Sequence, residues 1–391
     1  MNKPIILTLS LFFLFSCHTK RDTAHYDVIV QNVKLFDGDQ VYENATVLID
    51  SNKFKDIITS EPTDFVGDNV INAEGHTLTP GFINAHVHAF KEEHVKEAVQ
   101  SGVLTLLDLF SSQPKVSDTL RLLGQTSSNH AYYYSAGPTV TVDGGHGSQF
   151  GPVPLVETVD DIPKFIDDRL AEGSDYIKLI IERGDASYTI PTLSDDMIAA
   201  AITRTHDKGA IAVAHATWRK DAINAAKMRL DGLAHLWSRD SLEMGNEELQ
   251  SLKESGVFII PTALVWKLAN ESKWRTVNME LLKKEFNTLH KAGIPLLAGT
   301  DPPNHKINYG TDLFKELELF VEYGMSPLEA LKSATSLTSK SFKLGEKGYI
   351  KDGYSCDMVL IKGDPTQNIK DIYNIERVWK NGNEVKQPSH E

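Results

Sequence analysis

The chain reads as an α/β protein: a (β/α)8 TIM barrel with a small β-sandwich domain built from both chain ends. Two features of its 391 residues predict this. Between residues 78 and 301, apolar β-type runs alternate with helix-like stretches, and there are eight such runs, the count of a parallel barrel. On either side lie short strands separated by turn formers, in two segments each too small to bury a core alone. The expected order is a signal peptide over 1–17, a tether over 18–25, a first β segment over 26–77, the barrel over 78–344 and a second β segment over 345–391.

The leader begins with Met1-Asn2-Lys3 and continues as "PIILTLSLFFLFSC". A basic start and an apolar run too short to span a bilayer make a signal peptide. Its end, Leu14-Phe15-Ser16-Cys17, resembles a bacterial lipobox, in which the cysteine is lipidated and becomes the first residue. Leu14 and Ser16 fit that pattern and Phe15 is bulkier than the usual residue; a plain secretory signal is the other reading. The protein would then be exported, periplasmic or membrane-anchored, touching the membrane only through lipid on Cys17. The other cysteine, Cys356, would have no partner, so a large core must replace disulfides. A net charge of −13 argues against nucleic-acid or anionic-membrane binding by charge.

After the leader, "YDVIVQNVKLF", "ATVLID" and "FKDIIT" read as strands, with Asp37-Gly38 and Ser51-Asn52 as turns. The barrel runs are 78–88, 103–110, 131–139, 176–181, 211–216, 232–237, 257–265 and 294–301. Between them lie "KEEHVKEAVQSG", "DDIPKFIDDRLAEG", "SDDMIAAAITRTHDKG", "RKDAINAAKMR", "NEELQSLKESG" and "LLKKEFNTLHKAG", several ending in Gly as helices do. "CDMVLIKGD" and "IERVWKNGNEV" restore the β texture, with Asn381-Gly382 as a hairpin turn.

Barrel chemistry sits at the C-terminal ends of the strands. The first run ends in His86 and His88, which share one face of a strand and so converge. The fourth carries Lys178, the fifth His215, the sixth His235, and the eighth ends at Asp301. Singly, each has a plainer explanation: a core histidine bonded to a carbonyl, an aspartate capping "DPPN", a lysine paired with a carboxylate. Together, six metal-ligand types on five strand ends point to a metal site. Lys178 is the odd member, because a bare ammonium inside an apolar strand is costly to bury; carboxylation by CO₂ would turn it into an oxygen-rich anion.

The segments "LTPGFINAHVH", "SDYIKLI", "AVAHA", "GLAHL" and "LLAGTD", with the tail from "GMSPLEALKSATS" to "CDMVLIKGDP", resemble the amidohydrolase superfamily of metal-dependent hydrolases over about residues 26 to 385. "SDYIKLI" and "GGHG" look most like its imidazolonepropionase-like and Xaa-Pro dipeptidase-like branch. The resemblance implies two divalent metal ions, zinc first among candidates. His86, His88 and Asp301 would hold one, His215 and His235 the other, and a CO₂-derived carbamate on Lys178 would bridge them. It also implies a metal-bridging hydroxide as nucleophile, with Asp301 as general acid/base. The substrate would be a small molecule with an amide, lactam or dipeptide C–N bond, although the same attack would open an ester or lactone.

His146, in the glycine-rich "TVDGGHGSQF", is the expected helper for polarising the carbonyl or binding a substrate carboxylate; a surface loop is the equal alternative. Tyr132, Tyr133 and Tyr134 are better explained by packing, and Trp218 and Trp237 by packing or a pocket wall. The nearest rival function is a mononuclear deaminase or imidazolonepropionase-type hydrolase, which often uses a glutamate after the fifth strand. "HATWRKDA" offers none near His215, and Lys178 is present; both favour two metals. A catalytically dead binding scaffold is the remaining alternative, weakened by the completeness of the ligand set.

Overall fold

The computed structural model describes residues 24–59, 65–185 and 187–386. The apolar leader and Cys17 lie outside them. Among the described residues no helix is long and apolar enough to cross a membrane.

The strands in chain order are β1 (His25–Phe36), β2 (Val41–Asp50), β3 (Lys53–Ile58), β4 (Val66–Asn72), β5 (His76–Pro80) and β6 (Phe82–Val87). Then come β7 (Val103–Asp108), β8 (Tyr132–Ser135), β9 (Ile177–Ile181), β10 (Ala212–Ala216), β11 (Gly232–Ala234) and β12 (Phe258–Ile260). The last are β13 (Met358–Lys362), β14 (Ile375–Lys380) and β15 (Asn383–Glu384). The helices are α1 (Glu92–Gln100), α2 (Pro114–Thr126), α3 (Ile162–Ala171), α4 (Asp195–Asp207), α5 (Arg219–Lys227) and α6 (Asn246–Ser255). They continue with α7 (Ala263–Glu271), α8 (Met279–Lys291), α9 (Asp312–Glu322), α10 (Pro327–Ser333) and α11 (Ser336–Phe342).

β1–β5 and β13–β15 form one mixed eight-stranded sheet. The two chain ends meet where β13 runs antiparallel to β5, with Leu360 opposite Leu78. Val33, Val47 and Phe54 from one end pack with Met358, Leu360 and Trp379 from the other. Each such buried side chain contributes about 1.5–3 kcal/mol, and neither end could bury this set without the other. Asn381 and Gly382 both have positive φ between β14 and β15, the geometry of a primed hairpin turn.

The middle of the chain forms two parallel sheets, β6-β7-β8 and β9-β10-β11-β12. Their strands are buried along nearly their whole length, as parallel strands covered on both faces must be. This is the parallel α/β architecture of TIM-barrel proteins. Five helix-like stretches end in Gly102, Gly173, Gly209, Gly256 and Gly293, all at positive φ just past a helix.

Three runs differ from expectation. The first, 78–88, is divided: residues 78–80 lie in β5 of the mixed sheet, and only from Phe82 does the chain enter the parallel sheets as β6. The seventh was expected to be strand through 265, but β12 stops at Ile260, and Ala263 and Leu264 open α7. There the Glu316 carboxylate of α9 accepts their backbone N–H groups at 2.8 and 2.7 Å, which satisfies the first turn of a helix. The eighth run, 294–301, makes a single parallel bridge, Leu296 to Ile259, instead of a continuous strand. Pro295 supplies no N–H to a ladder. The run is held on both flanks all the same: Leu297 N–H donates to the Ile259 carbonyl at 2.8 Å, and Ala85 N–H to the Ala298 carbonyl at 2.8 Å.

Candidate metal centre

The expected ligands converge. His86, His88 and Asp301 each place one ligand atom within 4.8 Å of the others. Asp301 Oδ1 lies 3.4 Å from His86 Nε2 and 3.0 Å from His88 Nε2. His86 and His235 have ring centroids 4.9 Å apart, and His235 and His215 4.7 Å apart. Lys178 lies near enough that its charge, after burial, is the largest influence on His86. His146 joins them, stacked on His215 at 4.8 Å. The other aromatic candidates are explained by packing: Tyr132 lies under the Lys347 and Lys380 ammonium groups, and Trp218 Nε1 donates to the Gly184 carbonyl at 2.7 Å.

Local structure fixes these positions. Asn84, fully buried, donates to Thr300 Oγ1 at 2.7 Å and accepts from Thr300 N–H at 3.1 Å, tying β6 to the segment bearing Asp301. Gly299 allows the approach, since a Cβ there would stand 2.8 Å from His86 N and 2.6 Å from Ile260 Cγ2. Asp301 N–H then donates to the His86 carbonyl at 2.7 Å. Asp301 and His235 both hold positive φ, 57° and 78°, a strained backbone that persists where surroundings over-determine it. Asp108, at the end of β7, accepts Ala89 N–H at 2.7 Å and Phe110 N–H at 2.9 Å, clamping the chain around His88. Burial pushes the Asp108 carboxyl up to about 7.

The electrostatics keep most of the imidazoles neutral. Burial, then the Lys178 charge, drives His86 well below its usual pKa. Burial and the neighbouring imidazoles do the same to His235 and take His146 to about 3. His88 differs: burial acts downward, but Asp301 outweighs it and raises the net value. Neutral imidazole is the ligand form. His235 Nδ1 lies 2.8 Å from Thr262 Oγ1 and His88 Nδ1 3.4 Å from the Phe110 carbonyl oxygen; both contacts turn the Nε2 atoms toward a ligand's role.

Four buried polar atoms of the set have no hydrogen-bond partner among the described residues: His86 Nδ1, Lys178 Nζ, His215 Nε2 and Asp301 Oδ1. Asp301 Oδ1 is within ion-pair distance of both histidines yet not aligned as a hydrogen bond. Leaving such atoms unpaired costs about 1–3 kcal/mol each. The separations of 3.4 and 3.0 Å about Asp301 Oδ1 suit atoms bound around one ion at about 2.0–2.2 Å. These residues fit a divalent metal.

Glu182 is the residue that the sequence reading missed. A glutamate does stand beside His215, but it comes from the end of β9, four residues past Lys178, not from the stretch after His215. Its Oε2 is 3.5 Å from His215 Nε2. The Thr217 hydroxyl donates to the same oxygen, Gly184 N–H donates to Oε1 at 2.8 Å, and Arg239 Nε lies 3.3 Å away. Burial acts to raise its pKa, but His215, Thr217 and Arg239 outweigh it and hold the carboxyl at about 2.

A parallel α/β domain with histidines, an aspartate and a bare buried lysine gathered at its strand ends defines a hydrolase of the kind built around divalent metals. The chain belongs to the amidohydrolase family, whose profile, Amidohydrolase family, matches residues 158–385. It is 23% identical to an ochratoxinase from Aspergillus niger over 337 residues, covering 75% of this chain and 67% of the relative. In structure it is similar to an Xaa-Pro dipeptidase (TM-score 0.80, 23% identity, 92% of this chain and 99% of that one). It is also similar to the A. niger ochratoxinase structure (TM-score 0.77, 19% identity, 93% and 96%).

Proposed function

We propose that the protein hydrolyses a carbon–nitrogen bond, in an amide, lactam or dipeptide, at a two-metal centre. The observation that carries this reading is Lys178. The residue is 3% exposed, its amine has no hydrogen-bond partner among the described residues, and burial brings it to about 7. A neutral buried amine can add to CO₂, releasing one proton and leaving a carbamate. His86, His88 and Asp301 would hold the first ion, His215 and His235 the second, with carboxylated Lys178 shared; imidazole and carboxylate donors suit zinc. When bound, such ions supply Lewis acidity and bring the pKa of a bound water to about 7.

The chain's own residues do the rest. The Asp301 carboxylate accepts the proton from the attacking water and returns it to the leaving amine. His146, neutral and beside His215, donates to the substrate carbonyl oxygen, its Nδ1 lying 3.3 Å from Gln149 Nε2. Thr262 keeps His235 in one tautomer. The similarity to an ochratoxinase and an Xaa-Pro dipeptidase supports hydrolysis. We read the two parallel sheets, with the 294–301 run between β12 and β6, as one closed barrel, and the mixed sheet as the small sandwich beside it. Export and a lipid on Cys17 rest on the sequence; labelled palmitate incorporated by the parent and not by Cys17→Ala would support them.

Glu182 favours a second reading, a mononuclear hydrolase or deaminase, because it puts a carboxylate beside His215. Elemental analysis of protein lacking its first 17 residues, beside Lys178→Ala, separates the two. About two ions per chain in the parent and fewer in the variant support the bridged centre. One ion in both supports the mononuclear site.

A further inference from the structure

Beyond the centre, the C-terminal face of the parallel sheets holds two arginines with different company. Arg239, four residues after His235, is committed: besides Glu182 it reaches Thr217 Oγ1 at 3.0 Å and Asp185 Oδ2 at 3.1 Å. Arg275, just past α7, is not. Among the described residues its guanidinium makes no ion pair with any carboxylate, and its one hydrogen bond is to Ser238 Oγ at 3.5 Å. Its guanidinium lies over the Trp266 ring at 5.6 Å and the Trp274 ring at 5.1 Å. Trp266 in turn packs edge-on against the ligand candidate His235, with centroids 5.6 Å apart. The cation is therefore one aromatic ring away from the metal centre.

Its situation is unfavourable as it stands. Burial lowers the Arg275 pKa, and the charge of Arg239 lowers it further; Glu182 and Asp185 offset this only from a distance. Cation–π contact with two indoles compensates in part. Aromatic faces occupy the flat side of a guanidinium and leave its in-plane N–H groups for a planar, two-oxygen acceptor. In the same wall, the Trp266 indole N–H is buried with no partner among the described residues. Trp274 is itself 65% exposed and also packs edge-on against His305, with centroids 5.4 Å apart, so the wall presents an apolar face outward. A half-buried cation with open donors, held between two indoles beside the metal centre, lacks an anion that the described residues do not supply.

We propose that Arg275 anchors a free carboxylate of the substrate. The substrate class is then an amide that carries an open carboxylate and an apolar remainder, as N-acyl amino acids and dipeptides do, in preference to neutral amides or lactams. This rests on the hydrolytic reading of the site above. Arg275 would be a specificity residue, acting on binding more than on bond cleavage.

The test uses the metal-loaded mature chain and pairs of probes: N-acetyl-L-amino acids and dipeptides against the same compounds capped as C-terminal carboxamides. The parent is expected to prefer the open acid roughly ten- to hundredfold in kcat/KM, the range of a hydrogen bond to a charged group. Arg275→Met keeps bulk against both indoles. It is expected to raise KM for the acid roughly tenfold or more, with a smaller change in kcat, and to bring the acid-to-carboxamide ratio near one. Arg275→Lys should recover part of that ratio. Equal turnover of acid and carboxamide by the parent, or an Arg275→Met loss shared equally by both, overturns the proposal. If neither series is cleaved, the hydrolytic reading fails for these compounds, and binding decides the role of Arg275. A saturable change in tryptophan fluorescence on adding N-acetyl-L-leucine, lost in Arg275→Met, upholds the carboxylate subsite; no such change overturns it.

Discussion

Lys178 is costly to the metal-free fold, and the cost can be measured. Burial takes its pKa from 10.5 to about 7, with Asp301 opposing the fall. In the unfolded chain the amine keeps its ordinary value. Between about pH 7 and 10.5 the unfolded chain therefore binds the extra proton, and stability rises with pH through that window. At about 1.4 kcal/mol per pH unit, the penalty is about 5 kcal/mol at and below pH 7 and is gone above 10.5. Lys178→Met removes the charge and keeps the length of the side chain. Unfolding entropy of about 2.1 cal/mol/K per residue gives about 0.8 kcal/mol/K for this chain. The metal-free variant should then melt about 6 °C above the parent at pH 7 and only about 1 °C above it at pH 10. The assay is thermal unfolding by circular dichroism with chelator present and bicarbonate excluded, so that the amine stays free. A variant no more stable than the parent at pH 7, or a gain that persists undiminished at pH 10, would refute the reasoning.

Three further outcomes are expected. Thr262→Val removes the oxygen 2.8 Å from His235 Nδ1 and should weaken metal affinity roughly 10–100-fold; competition against a fluorescent chelator measures it, and parent-like affinity would dismiss the tautomer argument. Gly299→Ala places a Cβ 2.6 Å from Ile260 Cγ2 and 2.8 Å from His86 N. It should cost about 1–3 kcal/mol in urea unfolding and lower bound metal as well; a loss of stability with full metal content would separate packing from the site. Asp301→Asn should lower kcat by roughly 10²–10⁴ with an unchanged far-ultraviolet spectrum, and residual activity within a few-fold of the parent would take the proton-transfer role from Asp301.

The candidate ligands were legible because each breaks an apolar run at a strand end, and a period of two puts His86 and His88 on one face. The glycines past the helices were legible because the left-handed turn there favours glycine. What stayed hidden depends on partners far away in the chain. The start of α7 could not be read locally, since "ALVW" suits strand or helix equally, and its first N–H groups are satisfied by Glu316, some fifty residues on. The eighth run failed as a strand because Pro295 breaks its ladder and Gly299 serves its approach to His86.

Glu182 is a different case, because its position follows from strand periodicity alone. Lys178, Ile180 and Glu182 follow the same period of two, so a strand that aims Lys178 inward aims Glu182 inward as well. The stretch after His215 holds no nearby glutamate, but strands pair across the chain: β9 lies beside β10, with His215 opposite Ile180. That register makes Glu182 a neighbour of His215 whatever the loops do. It also shifts the argument about metal number. The absence of a glutamate near His215 no longer favours two ions, and the weight of that reading now falls on Lys178 alone. A lysine that stays bare and melts as calculated in chelator, yet binds no second ion when metal and bicarbonate are restored, would leave Glu182 and His215 as the working pair.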